Sequence, residues 1–221
     1  WENWPAGPQV YAESAIVMEA STGTILYAKG IDEQHYPASI TKIMTLLLTF
    51  EALEAGKVSL SDIVPVSEHA YHMGGSQIWL EPGEQLTLDE MLKAICISSA
   101  NDAAVAVAEF IGGSEPVFVE RMNARAAELG MNNTYYTNAT GLPDDAQYTT
   151  ARDVATLSVE MCRHPDYFTH ASVWMDTLTH PSGRVTDLTN TNRLVRFYEG
   201  CDGLKTGSAD ASRYCLSATA Q

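Results

Sequence analysis

Basic residues are scarce in this chain: 13 Lys and Arg stand against 28 Asp and Glu, a formal charge of −15 over 221 residues. A polymer so acidic is repelled by phosphate backbones, which argues against nucleic acid as a partner. Anionic lipid repels it too, so membrane contact is expected only through segments absent from this chain. Long apolar runs are missing as well. The greasiest stretches, IMTLLLTF and AAVAVAEFI, fall well short of the roughly 20 residues a membrane-spanning helix requires and read as core helices. The few cysteines, Cys96, Cys162, Cys201 and Cys215, form neither a CxxC pair nor a zinc-ligand spacing. Isolated buried thiols are the expectation, with a Cys201–Cys215 bridge across a hairpin as the alternative. His69 and His72 lie three apart with no third ligand nearby in sequence, so they read as a solvated helix face and no metal is expected. No signal peptide is visible; the opening WENWPAGP looks processed or trimmed, so that absence does not imply cytoplasm.

What is present is an ordinary globular composition, 45% hydrophobic and 19% charged, long enough for a substantial core. SAIVMEAS (14–21) and ILYAKG (25–30) read as two strands joined by a tight hairpin at Gly23. Ile40, Ile43, Met44, Leu47 and Leu48 then recur at helical spacing, with a start near Ala38 or Ser39 just after Pro37. GGSQIWLEPGEQLT is rich in turn signals. Thr87 and Glu90 make a capping-box pattern ahead of a helix that stops at Ser98–Ser99–Ala100, and a second helix restarts at Asn101 or Asp102. Ser114 caps a helix that Gly130 ends, and Thr150 with Asp153 caps another. Residues 165–200 show little periodicity. CDGLKTGSADASRYCLSATA suggests a strand, a turn near Ala209–Asp210 and a returning strand. No linker or repeat divides the chain. A single α+β domain over 1–221 is expected, an antiparallel sheet with flanking helices plus a mostly helical lobe over roughly 50–195.

Three short patterns could carry chemistry. In PASITKIMT, Ser39 precedes Lys42 by three residues, so on a helix the hydroxyl and amine share a face. Ser39 can be a helix cap, or a nucleophile with Lys42 as its base; the second needs a neutral lysine, by burial or by nearby positive charge. Ser99-Ala100-Asn101 sits at an inter-helix break, where Asn101 can cap or line a crevice. Lys205-Thr206-Gly207 lies on the late strand; Gly207 marks a bulge or lets a ligand backbone approach, with Lys205 and Thr206 free to hold a carboxylate.

S-x-x-K, S-x-N and K-T-G in this order are specific where each alone is weak. The chain resembles the penicillin-recognising serine D,D-peptidases, most closely the low-molecular-mass D-alanyl-D-alanine carboxypeptidases. The likeness extends from about residue 10 onward, including LEPGEQLTLDEMLKAICISSANDAAVAVAE and NATGLPDDAQYTTARDVATLS. It implies the DD-peptidase/β-lactamase-like fold. It also implies an acyl-enzyme on Ser39, Lys42 as base, Ser99 as proton relay, and Asn101 holding substrate and Lys42. Lys205 and Thr206 would bind the terminal carboxylate, and the backbone N–H groups of Ser39 and Ser208 would form the oxyanion hole. The implied substrate is a peptidoglycan stem peptide ending in D-Ala-D-Ala, with β-lactam antibiotics as acylating inhibitors and no cofactor. An extracytoplasmic bacterial location follows, where the N-x-T patterns at Asn132 and Asn138 carry no weight.

Departures from the family pattern qualify this. The middle triplet is S-A-N and no E-x-x-L-N follows, against β-lactamase-like deacylation; Ser208 stands where many relatives carry histidine. Relatives continue past the strand that returns after KTG with a further strand between the two end pairs, and many have a β-rich stalk and amphipathic helix. The sheet is therefore expected to be incomplete, and no role is transferred to Arg213. A non-catalytic peptidoglycan- or penicillin-binding fragment and a β-lactamase are the alternative readings.

Overall fold

A computed structural model describes residues 7–210 and 212–221. The chain opens with the antiparallel hairpin β1 (Ala15–Glu19) and β2 (Thr24–Lys29), turned at Gly23 with φ +71. A 3-10 turn at Ala38–Thr41 runs into α1 (Lys42–Glu54). After β3 (Ile63–Pro65) and the short α2 (Glu68–Tyr71), β4 (Gln85–Thr87) pairs back on β3. Four helices follow: α3 (Leu88–Ser98), α4 (Asn101–Gly112), α5 (Glu115–Glu128) and α6 (Ala151–Met161). The expected caps form. Thr87 and Glu90 make a full capping box, Ser114 accepts from the Val117 amide, and Thr150 accepts from the Asp153 amide.

The core is helical. Asn101 to Ala108 of α4 are buried without interruption, and α4 packs against α1, α2, α3 and α5. Such a helix, apolar on all sides, is stable only when neighbours enclose it. Four partly exposed charges tie the outside: Arg125 bridges Glu51, Glu128 and Glu160, joining α1, α5 and α6.

Residues 165–200 hold more order than their sequence suggested. After α7 (Phe168–Ala171) comes a second hairpin, β5 (Met175–Thr179) and β6 (Val185–Thr189), then a turn of helix, α8 (Leu194–Phe197). Each of these strands buries only one residue fully, Leu178 and Leu188, so hydrophobic alternation was too faint to read.

The late hairpin is β7 (Cys201–Ala209) with β8 (Arg213–Ala220). It and β1–β2 are separate two-stranded ladders, the division expected of an incomplete sheet. Helix α6 packs against both β1 and β8, and Ser158 lies 2.8 Å from Ser217 across that contact. The Cys201–Cys215 bridge does not form. All four thiols are free, and the register sets Cys215 opposite Gly207, six residues along the strand from Cys201. At about 3.3 Å per residue that offset exceeds any disulfide's reach. His69 and His72 sit on and just after α2 with more than half of each side chain in solvent, as read.

Candidate active site

The turn carrying Ser39 is held from two sides. On one side stands Gly141, at φ +84, where an added Cβ would fall 1.8 Å from the Ala38 carbonyl oxygen. On the other, β7 packs so closely that a Cβ on Gly207 would lie 3.0 Å from the Ser39 amide nitrogen. The close approach expected at Gly207 is therefore made by the protein's own Ser39 turn. Ala38 itself takes φ +45, a sparsely populated conformation for a residue with a side chain and one that persists only under such constraint.

Ser39 is not a cap: no side-chain cap hydrogen bond is made at the start of the 3-10 turn or of α1. Its hydroxyl instead accepts from Lys42 Nζ at 3.0 Å. Lys42 is fully buried, and Nζ also donates to the Thr140 carbonyl at 2.7 Å. Burial drives its pKa well below the ordinary lysine value, the nearby Lys205 charge pushes the same way, and Asp102 opposes. A neutral amine beside a serine hydroxyl is the arrangement a nucleophile–base pair needs.

The break between α3 and α4 follows from Ser99, which adopts a left-handed conformation (φ +60) as the C-cap of α3. The Ser99 Oγ is buried and has no hydrogen-bond partner among the described residues. Asn101 does not cap α4: its Nδ2 donates to the Gly74 carbonyl and its backbone N–H to Ser76, both at 2.7 Å. Its Oδ1 is likewise buried and unpartnered among the described residues. The implied Asn101–Lys42 hydrogen bond is absent among those residues; the Thr140 carbonyl holds the amine instead.

Strand β7 brings the third pattern. Lys205 is buried, and burial lowers its pKa to about 8. Its Nζ donates to the Thr206 carbonyl at 3.2 Å. The Thr206 hydroxyl donates to Thr191 Oγ1 at 2.6 Å, and Ser208 is exposed. Behind the strand, Tyr167 O–H donates to the Leu204 carbonyl at 2.8 Å and Asn192 Nδ2 to the Gly203 carbonyl at 2.8 Å, fixing the backbone that presents Lys205. Burial pushes the thiol of Cys96 nearby up to about 12.

Two elements escaped the sequence reading. Loop 138–142 supports Lys42: Asn138 Oδ1 accepts from the Thr140 and Gly141 amides, and Thr45 donates to the Ala139 carbonyl. The N-x-T pattern at Asn138 is thus a turn-forming asparagine, and Gly141 was its only local signal. Asp102, read as an alternative helix start, is fully buried and accepts from the Ile78, Leu80 and Ala103 amides.

The model of the D-alanyl-D-alanine carboxypeptidase family, peptidase S11, matches residues 2–221. The chain is 49% identical over 210 residues to the D-alanyl-D-alanine carboxypeptidase DacF of Bacillus subtilis (strain 168), covering 95% of the chain and 54% of that protein. It is 33% identical over 222 residues to DacA of Escherichia coli (strain K12), with 98% and 54% covered. Among solved structures, the D-alanyl-D-alanine carboxypeptidase DacD of Francisella tularensis superposes with a TM-score of 0.94 at 29% identity, over 99% of this chain and 64% of that one. Penicillin binding protein 5 of Haemophilus influenzae gives 0.92 at 33%, over 98% and 63%. The chain spans about half the length of the curated relatives it matches. With a buried lysine on the serine, the KTG strand packed against the same turn and the family model matching residues 2–221, this chain belongs to the peptidase S11 family of D-alanyl-D-alanine carboxypeptidases.

Proposed function

We propose that the protein is a serine D,D-carboxypeptidase that removes the terminal D-alanine from peptidoglycan stem pentapeptides outside the bacterial cytoplasmic membrane, and that penicillins acylate it. The observation that carries this reading is Lys42, buried, low in pKa and 3.0 Å from the Ser39 hydroxyl. When Nζ is neutral the hydrogen bond reverses and Ser39 O–H donates to the amine, with Thr140 retaining one N–H. Ser39 Oγ then attacks the carbonyl between the two D-alanines as its proton passes to Lys42. The oxyanion is stabilised by the backbone N–H groups of Ser39 and Ser208; one such donor is worth on the order of 10²–10³ in rate.

Collapse of the tetrahedral intermediate breaks the C–N bond, and the departing amine takes a proton relayed from Lys42 through Ser99. Water, deprotonated in turn by Lys42, releases the acyl group. Asn101, whose Oδ1 has no hydrogen-bond partner among the described residues, aligns the substrate backbone, while protonated Lys205 and Thr206 bind the terminal carboxylate. The cation on Lys205 also adds to burial in holding the Lys42 pKa down, so one residue serves both binding and base.

Intact mass before and after excess benzylpenicillin tests the assignment. A single adduct present in the native chain and missing from Ser39→Ala is expected, together with D-alanine release from diacetyl-Lys-D-Ala-D-Ala. Stoichiometric adduct without alanine release would leave a penicillin-binding module, and rapid penicillin turnover would make it a β-lactamase.

A further inference from the structure

Trp79 is 61% exposed, yet the backbone at and beside it is held by polar side chains. The Asp102 carboxylate accepts from the Ile78 and Leu80 amides on either side of it, each at 3.1 Å. From the opposite side the Arg184 guanidinium donates to the Ile78 carbonyl at 3.0 Å and the Trp79 carbonyl at 2.5 Å. Arg184 also donates to Thr186, and its neighbour His180 is paired with Glu84 at 2.5 Å in a buried contact. The clamp holds Trp79 at φ +62, a region that a bulky residue seldom occupies. Core packing does not explain a large exposed side chain held on a backbone constrained in this way.

Trp79 borders a groove of about 470 Å³ whose lining includes Tyr71, His72, Gln77, Leu80 and Glu81. Tyr71 is 43% exposed. Two exposed aromatic residues beside an amide, an imidazole and a carboxylate suit a ligand with flat C–H faces edged by hydroxyl and acylamino groups. Pyranose rings of an amino sugar have that form. A chain of net charge −15 disfavours an anionic occupant.

The segment that carries Trp79 is also bonded to the S-x-N segment. Gly74 and Ser76 are bonded to Asn101, and Ile78 and Leu80 to the next residue, Asp102. Three residues of chain, at most about 11 Å, separate Ser76 from Trp79, whereas an extended five-residue stem peptide reaches about 17 Å.

We infer that Trp79 and its groove form a saccharide platform that takes the uncharged N-acetylhexosamine backbone bearing the stem peptide, so that one strand is held at both glycan and peptide. The substrate in this inference rests on the carboxypeptidase reading.

The test has two arms. In the first, a β-1,4-linked N-acetylglucosamine tetramer is titrated by calorimetry into the Ser39→Ala chain, where no turnover can intervene. Saturable binding is expected, weakened about tenfold or more by a further Trp79→Ala change and about two- to threefold by Trp79→Phe, which keeps an aromatic face. In the second, kcat/KM for a glycan-linked pentapeptide is divided by that for the free pentapeptide. The ratio is expected to exceed one and to fall about tenfold in Trp79→Ala, with the melting temperature as fold control. No tetramer binding, or equal binding by Trp79→Ala, overturns the platform even if alanine is released from both peptides. Tetramer binding with no alanine release from either peptide overturns the carboxypeptidase reading and leaves the platform standing. Self-association that Trp79→Ala abolishes, with no saccharide effect, assigns the groove to a second copy and overturns the inference.

Discussion

The two walls of the cleft are built differently. On one, Ser39 and Lys42 lie at the root of α1, a helix packed against α4 and α6, with Lys42 bonded to Ser39 and to Thr140 of loop 138–142. On the other, Lys205 is carried by a two-stranded hairpin whose second strand alternates between exposed and half-buried residues. Bond-making groups belong where a displacement of about 1 Å is most costly to rate, and carboxylate recognition tolerates more play. The contrast predicts that lesions in the helical wall fall on kcat and lesions in the hairpin wall fall on KM.

The sharpest test is Lys42→Gln. Loss of the base should lower kcat by about 10³–10⁴ with a smaller change in KM, read from steady-state alanine release. Equal effects on both constants would erase the distinction between the walls. Next comes Gly141→Ala, where the new methyl would overlap the Ala38 carbonyl at 1.8 Å. Displacing the Ser39 turn should reduce penicillin acylation by about 10²-fold and stability by about 2–4 kcal/mol, measured by adduct formation and denaturant melts. Gly207→Ala, a hairpin position that touches the Ser39 turn itself at a gentler 3.0–3.2 Å, is the exception on its wall and should cost acylation about tenfold.

The smallest effect is a shift along the pH axis. The proposed mechanism needs neutral Lys42, so activity is expected to fall as pH drops through its depressed pKa; it also needs protonated Lys205, so substrate binding is expected to weaken as pH rises through about 8. Lys205→Gln should remove that alkaline limb. It also removes a neighbouring positive charge, so the Lys42 pKa rises and the acid limb moves to higher pH. An acid limb that stays in place would mean that burial alone sets the lysine.

Much of this was legible beforehand, and the exceptions have physical causes. Caps at Thr87, Ser114 and Thr150 are local bonds between residues three apart, so three letters suffice to read them. The Ser39–Lys42 contact is likewise local. Thr140 touches Lys42 across 98 positions, and Gly141 is needed because of a carbonyl about a hundred positions away; no local pattern carries such a demand. The strands β5 and β6 were missed because one buried leucine apiece does not make a period. The Asn101–Lys42 bond was an implication of resemblance, and the Thr140 carbonyl takes that place.

Ser99 bears on which mutations this site can accept. Serine and threonine are often exchangeable where a hydroxyl is all that is wanted. At φ +60 they are not, because a branched Cβ crowds a left-handed backbone that serine and asparagine tolerate better. A drifting lineage can move from Ser99 to glycine without backbone strain but not to threonine, keeping either the bend with no hydroxyl or the hydroxyl with a strained bend. The first letter of the middle triplet is therefore restricted by chain geometry before any chemistry selects it.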